Sequence, residues 1–80
     1  MSKILKFSAS WCQPCKMLSR NLETAGVVVE EIDIDENEDM SIQFGIRGVP
    51  TLIQVNQFGA EVKRLVGVKS PDELKAWAES

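Results

Sequence analysis

Both cysteines of the chain stand with two residues between them, in Trp11-Cys12-Gln13-Pro14-Cys15, and no other stretch limits the fold as much. A strand-like run over residues 3–8, with Ile4, Leu5 and Phe7 around Lys6, leads into it. A helical run from Pro14 to about Ala25 leads out, its Leu18, Leu22 and Ala25 spaced along one helix face. Cys12 therefore falls where a strand gives way to a helix. Backbone N–H groups at such a point lack helical partners, and the positive end of the helix dipole favours an anion. A thiol placed there is biased toward the thiolate and becomes a nucleophile. Cys15, in the first helical turn, is near enough to close a disulfide with Cys12. Pro14 suits that turn, where an N–H has no helical partner to lose.

Eighty residues point to one domain, 1–80, with a core small enough to demand compact packing. An apolar content of 44% fits a globular chain, and a net charge of −3 argues against nucleic acid as the main partner. No apolar run is long enough to span a membrane, and Met1-Ser2-Lys3 opens no signal-type segment, so a cytoplasmic protein is expected. In that compartment a lone cysteine pair is catalytic or metal-binding more often than a structural staple. A structural zinc needs four ligands, whereas this chain offers two cysteines and no histidine. Only carboxylate ligands or a site shared between two chains would complete such a centre, so no metal is expected.

The rest of the chain reads as alternating elements. Gly26 supplies a left-handed stop after the first helix. Residues 27–34 are β-branched and read as a second strand, and strand, helix and strand in that order favour a right-handed parallel unit. Residues 35–39 are acidic and read as a loop. Met40 and Phe44 share a face of a short helix that Gly45 ends. Residues 51–55 and 62–66 are strands joined as a hairpin by the turn cluster 56–59. Ser70, Pro71 and Glu73 have the spacing of a capping box opening a last helix, whose Leu74, Trp77 and Ala78 face the sheet. The order is βαβαββα, that of an α/β chain.

The pentapeptide ending at Cys15 resembles the active site of the thioredoxin family, which usually has glycine where Gln13 stands. Arg47-Gly48-Val49-Pro50-Thr51 is similar to a second segment of that family, Arg-Gly-(Ile or Val)-Pro-Thr. The likeness covers nearly the whole chain but begins late, without the first strand and helix of full-length thioredoxins. In size the chain looks like the small thioredoxin or glutaredoxin-type proteins of some phages and archaea. The resemblance implies a minimal thioredoxin fold, a mixed four-stranded sheet with helices on both faces, and a protein-disulfide reductase, with Cys12 as nucleophile and Cys15 as resolving thiol. It implies a cis peptide before Pro50, with the backbone of Val49 pairing to an extended substrate segment. Trp11 becomes a partly exposed anchor, and Gly67 and Val68 a loop beside the site. Gln13 and Pro14, between the cysteines, complete the substrate-binding set.

Three departures from the family pattern stand out. The buried aspartate that usually lies five residues before the motif tryptophan is Lys6, and its usual lysine partner falls at Glu31. The two signs are exchanged together, so Lys6 and Glu31 are expected to face each other below Cys15, with Glu31 taking the proton-accepting role. An unpaired buried charge would cost several kcal/mol, roughly, so one swap demands the other. Gln13 replaces the glycine between the cysteines. Arg20 stands where a helix-kinking proline is frequent, so the first helix should run straight.

The resemblance further implies a dithiol–disulfide cycle at Cys12 and Cys15 with no bound cofactor. NADPH would supply it indirectly, through thioredoxin reductase or a similar donor. Disulfide-containing proteins would be the substrates, with ribonucleotide reductase a client by family analogy. The chain would act as a monomer, in a host's cytoplasm if phage-encoded. Two alternatives stand beside this reading: a glutaredoxin-type reductase using glutathione, and a non-catalytic subunit that binds partners through the Trp11–Val49–Gly67 surface. The acidic group Asp33, Asp35, Glu36, Glu38 and Asp39 reads as a solvated loop first, and as a means of steering a basic partner second.

Overall fold

In the computed structural model, which describes residues 2–80, one mixed sheet carries helices on both faces. Strand β1 (Lys3–Ser8) is followed by helix α1 (Gln13–Ala25), β2 (Glu30–Asp33), α2 (Glu38–Gln43), β3 (Thr51–Val55), β4 (Glu61–Val66) and α3 (Pro71–Glu79). The strand order is β2-β1-β3-β4, with β1 parallel to β2 and antiparallel to β3, and β3 antiparallel to β4. The expected βαβαββα order and mixed four-stranded sheet are thus observed.

Alternation along β1 sorts the two faces. Leu5 and Phe7 point to one side, joining Ile32, Ile53 and Val55 under Met40 and Phe44 from the α2 region. The rings of Phe7 and Phe44 lie 5.7 Å apart, tilted by 57°. Ile4 points to the other side, where Leu52 packs against Leu18 and Leu22 of α1 and Leu74 of α3. Each fully buried side chain of this kind contributes about 1.5–3 kcal/mol by leaving water. Lys6 belongs by parity to that second face and pairs with Leu52 in the ladder, so a buried cation lies on the face that also carries Leu52.

Helix α1 runs from Gln13 to Ala25 with Pro14 in its first turn. Gly26 closes it in the left-handed region at φ 72°, its N–H and that of Val27 bonding back to Glu23 and Leu22. Ser70 opens α3 with both halves of the capping box formed and Pro71 in first position. Trp77, expected to face the sheet, is half-buried against the α1–α3 cluster, with the Lys63 ammonium 5.0 Å above its ring. Ala78 is likewise half-buried.

The sequence overestimates β2. Residues 27–29 are not paired: Val27 and Val29 pack on the α1–α3 side, while Val28 is 89% exposed. Their β-branched character serves packing beneath the end of α1, and the ladder with β1 begins only at Leu5 opposite Glu30. The acidic stretch 35–39 is also not all loop, because Glu38 and Asp39 form the first turn of α2, where the helix dipole favours negative charge. Phe44 caps that helix rather than lying within it, and β4 begins at Glu61, one residue early.

Candidate active site

Residues 9–11 turn the chain between β1 and α1, and the Cys12 N–H bonds to the Ala9 carbonyl at 3.1 Å. Cys12 is the N-cap of α1, in extended conformation. Its Sγ accepts the Cys15 backbone N–H at 3.1 Å, the place an oxygen occupies in an ordinary N-cap. The two cysteines form a disulfide with their Cα atoms 5.3 Å apart. They are 4% and 3% exposed and pack with Ala9, Ile34 and Val49. Trp11, Gln13 and Pro14 are exposed around them.

Trp11 is 66% exposed, and its Nε1–H donates to Asp35 Oδ2 at 3.1 Å. Across the disulfide, the Val49–Pro50 peptide is cis. The Thr51 hydroxyl donates to the Gly48 carbonyl at 2.7 Å and ties that loop to the start of β3. Gly67 reaches the same loop, its N–H bonding to the Pro50 carbonyl at 3.0 Å. Its φ is 91°, while a Cβ built there would meet nothing within 4 Å. Backbone conformation, not lack of room, therefore calls for glycine at this point. Val68 follows, half-buried.

Below the disulfide, parallel pairing sets Lys6 beside Glu31. Lys6 Nζ donates to Glu31 Oε1 at 2.7 Å. The lysine side chain is 1% exposed and the glutamate 56%, so the pair bridges the interior and solvent. Partial burial pushes the Glu31 carboxyl up. Hydrogen bonds from Lys6 and Ser8, with the Lys6 charge, outweigh that and the repulsion from Asp33, and hold it below its usual range. A cleft of about 220 Å³ joins this pair to Cys15, lined among others by Lys6, Ser8, Cys15, Ser19, Glu31 and Asp33. A proton leaving Cys15 has a carboxylate within the same cleft.

Sequence reasoning missed Ser8 and Asp35. Ser8 is buried, and its hydroxyl donates to Glu31 Oε1 at 2.7 Å. Its position two residues after Lys6 on β1 was the available signal, since both must share a face. Asp35 belongs to the acidic loop and shows its contact with Trp11 only in three dimensions. Among the described residues no group of three His, Cys, Asp or Glu side chains could hold a metal ion. Nor, among them, is any helix long and apolar enough to cross a membrane.

Comparison with known proteins gives one consistent answer. The thioredoxin family model matches residues 1–80. The mitochondrial thioredoxin of Mus musculus is 35% identical over 80 residues, covering 92% of this chain and 48% of that protein. The chain thus spans about half the length of its mitochondrial relatives. The SPbeta prophage-derived thioredoxin-like protein YosR of Bacillus subtilis is 38% identical over 72 residues, covering 90% of this chain and 89% of that protein. A mutant thioredoxin from Halobacterium salinarum superposes with a TM-score of 0.85 at 38% identity, over 98% of this chain and 72% of that one.

Proposed function

The chain belongs to the thioredoxin family, and from that premise we propose that it is a thiol–disulfide oxidoreductase that reduces disulfide bonds in proteins. The observation that carries this reading is Cys12 Sγ at the N-cap of α1, one disulfide bond from Cys15. In the reduced protein, Cys12 attacks a sulfur of the substrate's disulfide, and one substrate thiolate leaves. Cys15 gives its proton to Glu31 and attacks Cys12 Sγ. The Cys12–Cys15 bond forms, the bond from Cys12 to the substrate breaks, and the second substrate sulfur leaves and takes up a proton. Two electrons pass from the cysteine pair to the substrate. Lys6 remains charged and holds Glu31 in place.

Trp11, Gln13, Pro14, Val49, Pro50, Gly67 and Val68 form the surface that receives an extended substrate segment. The pair is returned to the dithiol by a reductase fed by NADPH, or by glutathione. Ribonucleotide reductase is a client of suitable chemistry, and the protein works as a cytoplasmic monomer. Insulin reduction followed by turbidity, with NADPH and thioredoxin reductase in one arm and glutathione in the other, tests this. Turnover is expected in at least one arm and in neither for Cys12→Ser. No turnover of the intact pair in either arm refutes the reading.

A further inference from the structure

Two buried donors converge on a single oxygen of Glu31. Lys6 Nζ and Ser8 Oγ both lie 2.7 Å from Oε1, and neither bond falls on Oε2. A glutamate more than half exposed on an edge strand would ordinarily sample several rotamers in solvent. One donor acts as a pivot, whereas two donors from successive inward positions of β1 fix the direction of the carboxylate plane. Ser8 is itself held: its carbonyl accepts the Ile34 N–H at 2.9 Å, and it lies opposite Asp33 in the ladder. The charged and titratable groups that share the cleft with Glu31 are Lys6 from β1, Cys15 and Lys16 from α1, and Asp33 on its own strand.

We propose that Ser8 is a positioning residue for the resolving step. By clamping Oε1 together with Lys6, it keeps Glu31 in the cleft and leaves Oε2 to take the proton of Cys15. This rests on the reading of Glu31 as the acceptor of that proton. Lys6 alone neutralises the carboxylate, so the contribution of Ser8 is geometric. Loss of its hydroxyl frees Glu31 to swing outward, and Cys15 then yields its proton to bulk water.

The reduced protein mixed with less than one equivalent of 5,5′-dithiobis(2-nitrobenzoate) isolates the step. Cys12 attacks the reagent and expels one thionitrobenzoate. Cys15 then attacks Cys12 Sγ and expels the second, in a phase independent of reagent concentration. The rate of that phase is measured by stopped-flow absorbance from pH 4 to 9 in the wild type, Ser8→Ala, Glu31→Gln and the double variant. A loss on the order of tenfold at pH 7 in Ser8→Ala is expected, the low end of what one hydrogen bond to a charged group supports. The acid limb should move to higher pH, because a carboxylate that has lost a donor is easier to protonate. In the Glu31→Gln background the Ser8 substitution should change nothing further. A Ser8→Ala rate and acid limb like those of the wild type overturn the proposal, as does an equal loss with and without Glu31. A wild type lacking the second phase instead refutes the dithiol reading, and a Glu31→Gln profile like the wild type's refutes the role of Glu31.

Discussion

Replacing Glu31 by glutamine isolates what it costs this fold to keep a cation on its buried helix face. Lys6 is 1% exposed, and Glu31 Oε1 at 2.7 Å is the acceptor that matches its charge. A hydrogen bond to a charged group contributes about 1.5–3 kcal/mol net. Orphaning one member of a fully buried pair costs about 3–5 kcal/mol. Glu31, however, is 56% exposed, so water screens the pair and the upper figure does not apply. Glutamine also retains an oxygen for Lys6 and Ser8 to share. The expected loss is therefore about 1–2 kcal/mol, a fall in Tm of roughly 5–15 °C for a domain of this size. Adding Lys6→Met removes the buried charge and should recover most of that loss, because an apolar chain of similar length fits beside Leu52. Urea and thermal unfolding of the three variants, with the disulfide intact, measure both numbers. A single variant as stable as the wild type, or a double variant no better than the single, refutes the account of Lys6 as a cation dependent on its partner.

The same carboxylate links stability to pH. Its folded-state pKa lies below its unfolded value, so its contribution is complete above roughly pH 4.3 and is lost as pH falls through the folded-state pKa. Unfolding curves of wild type and Glu31→Gln should converge there on acidification, and a gap constant down to pH 2 contradicts this. Cys15→Ser should arrest the cycle at the mixed disulfide, giving a mass increase equal to the substrate fragment on Cys12 that is released by reductant. Ser70→Ala removes the side-chain half of a complete capping box and should cost about 1 kcal/mol, read as a lower urea midpoint at unchanged slope.

What could be read without coordinates is what short-range chemistry decides. Pro14 and Pro71 at helix starts, Gly26 at a helix end and the Ser70–Glu73 spacing act within one turn, and α1 and α3 appear within a residue of where those signals put them. The apolar runs 3–8 and 51–55 coincide with β1 and β3, the two central strands, where burial on both faces enforces apolar character. At the edges the signal weakened. Val27 and Val29 have strand composition yet pack beneath α1 without pairing, and Phe44 ends a helix whose face it still completes.

The site divides along the same line. Its cysteines, and the local reason for an anion at Cys12, lie within five consecutive residues. That Lys6 lies beside Glu31 follows from the parallel register of β1 and β2, and a shift of one residue would have sent one of them to the opposite face. That both Lys6 and Ser8 grip one oxygen, that Trp11 leans on Asp35, and that Gly67 meets Pro50 are contacts between residues 17 to 25 positions apart in the chain. Local propensity carries no record of such distances; only the closure of the sheet brings those groups within reach of a hydrogen bond.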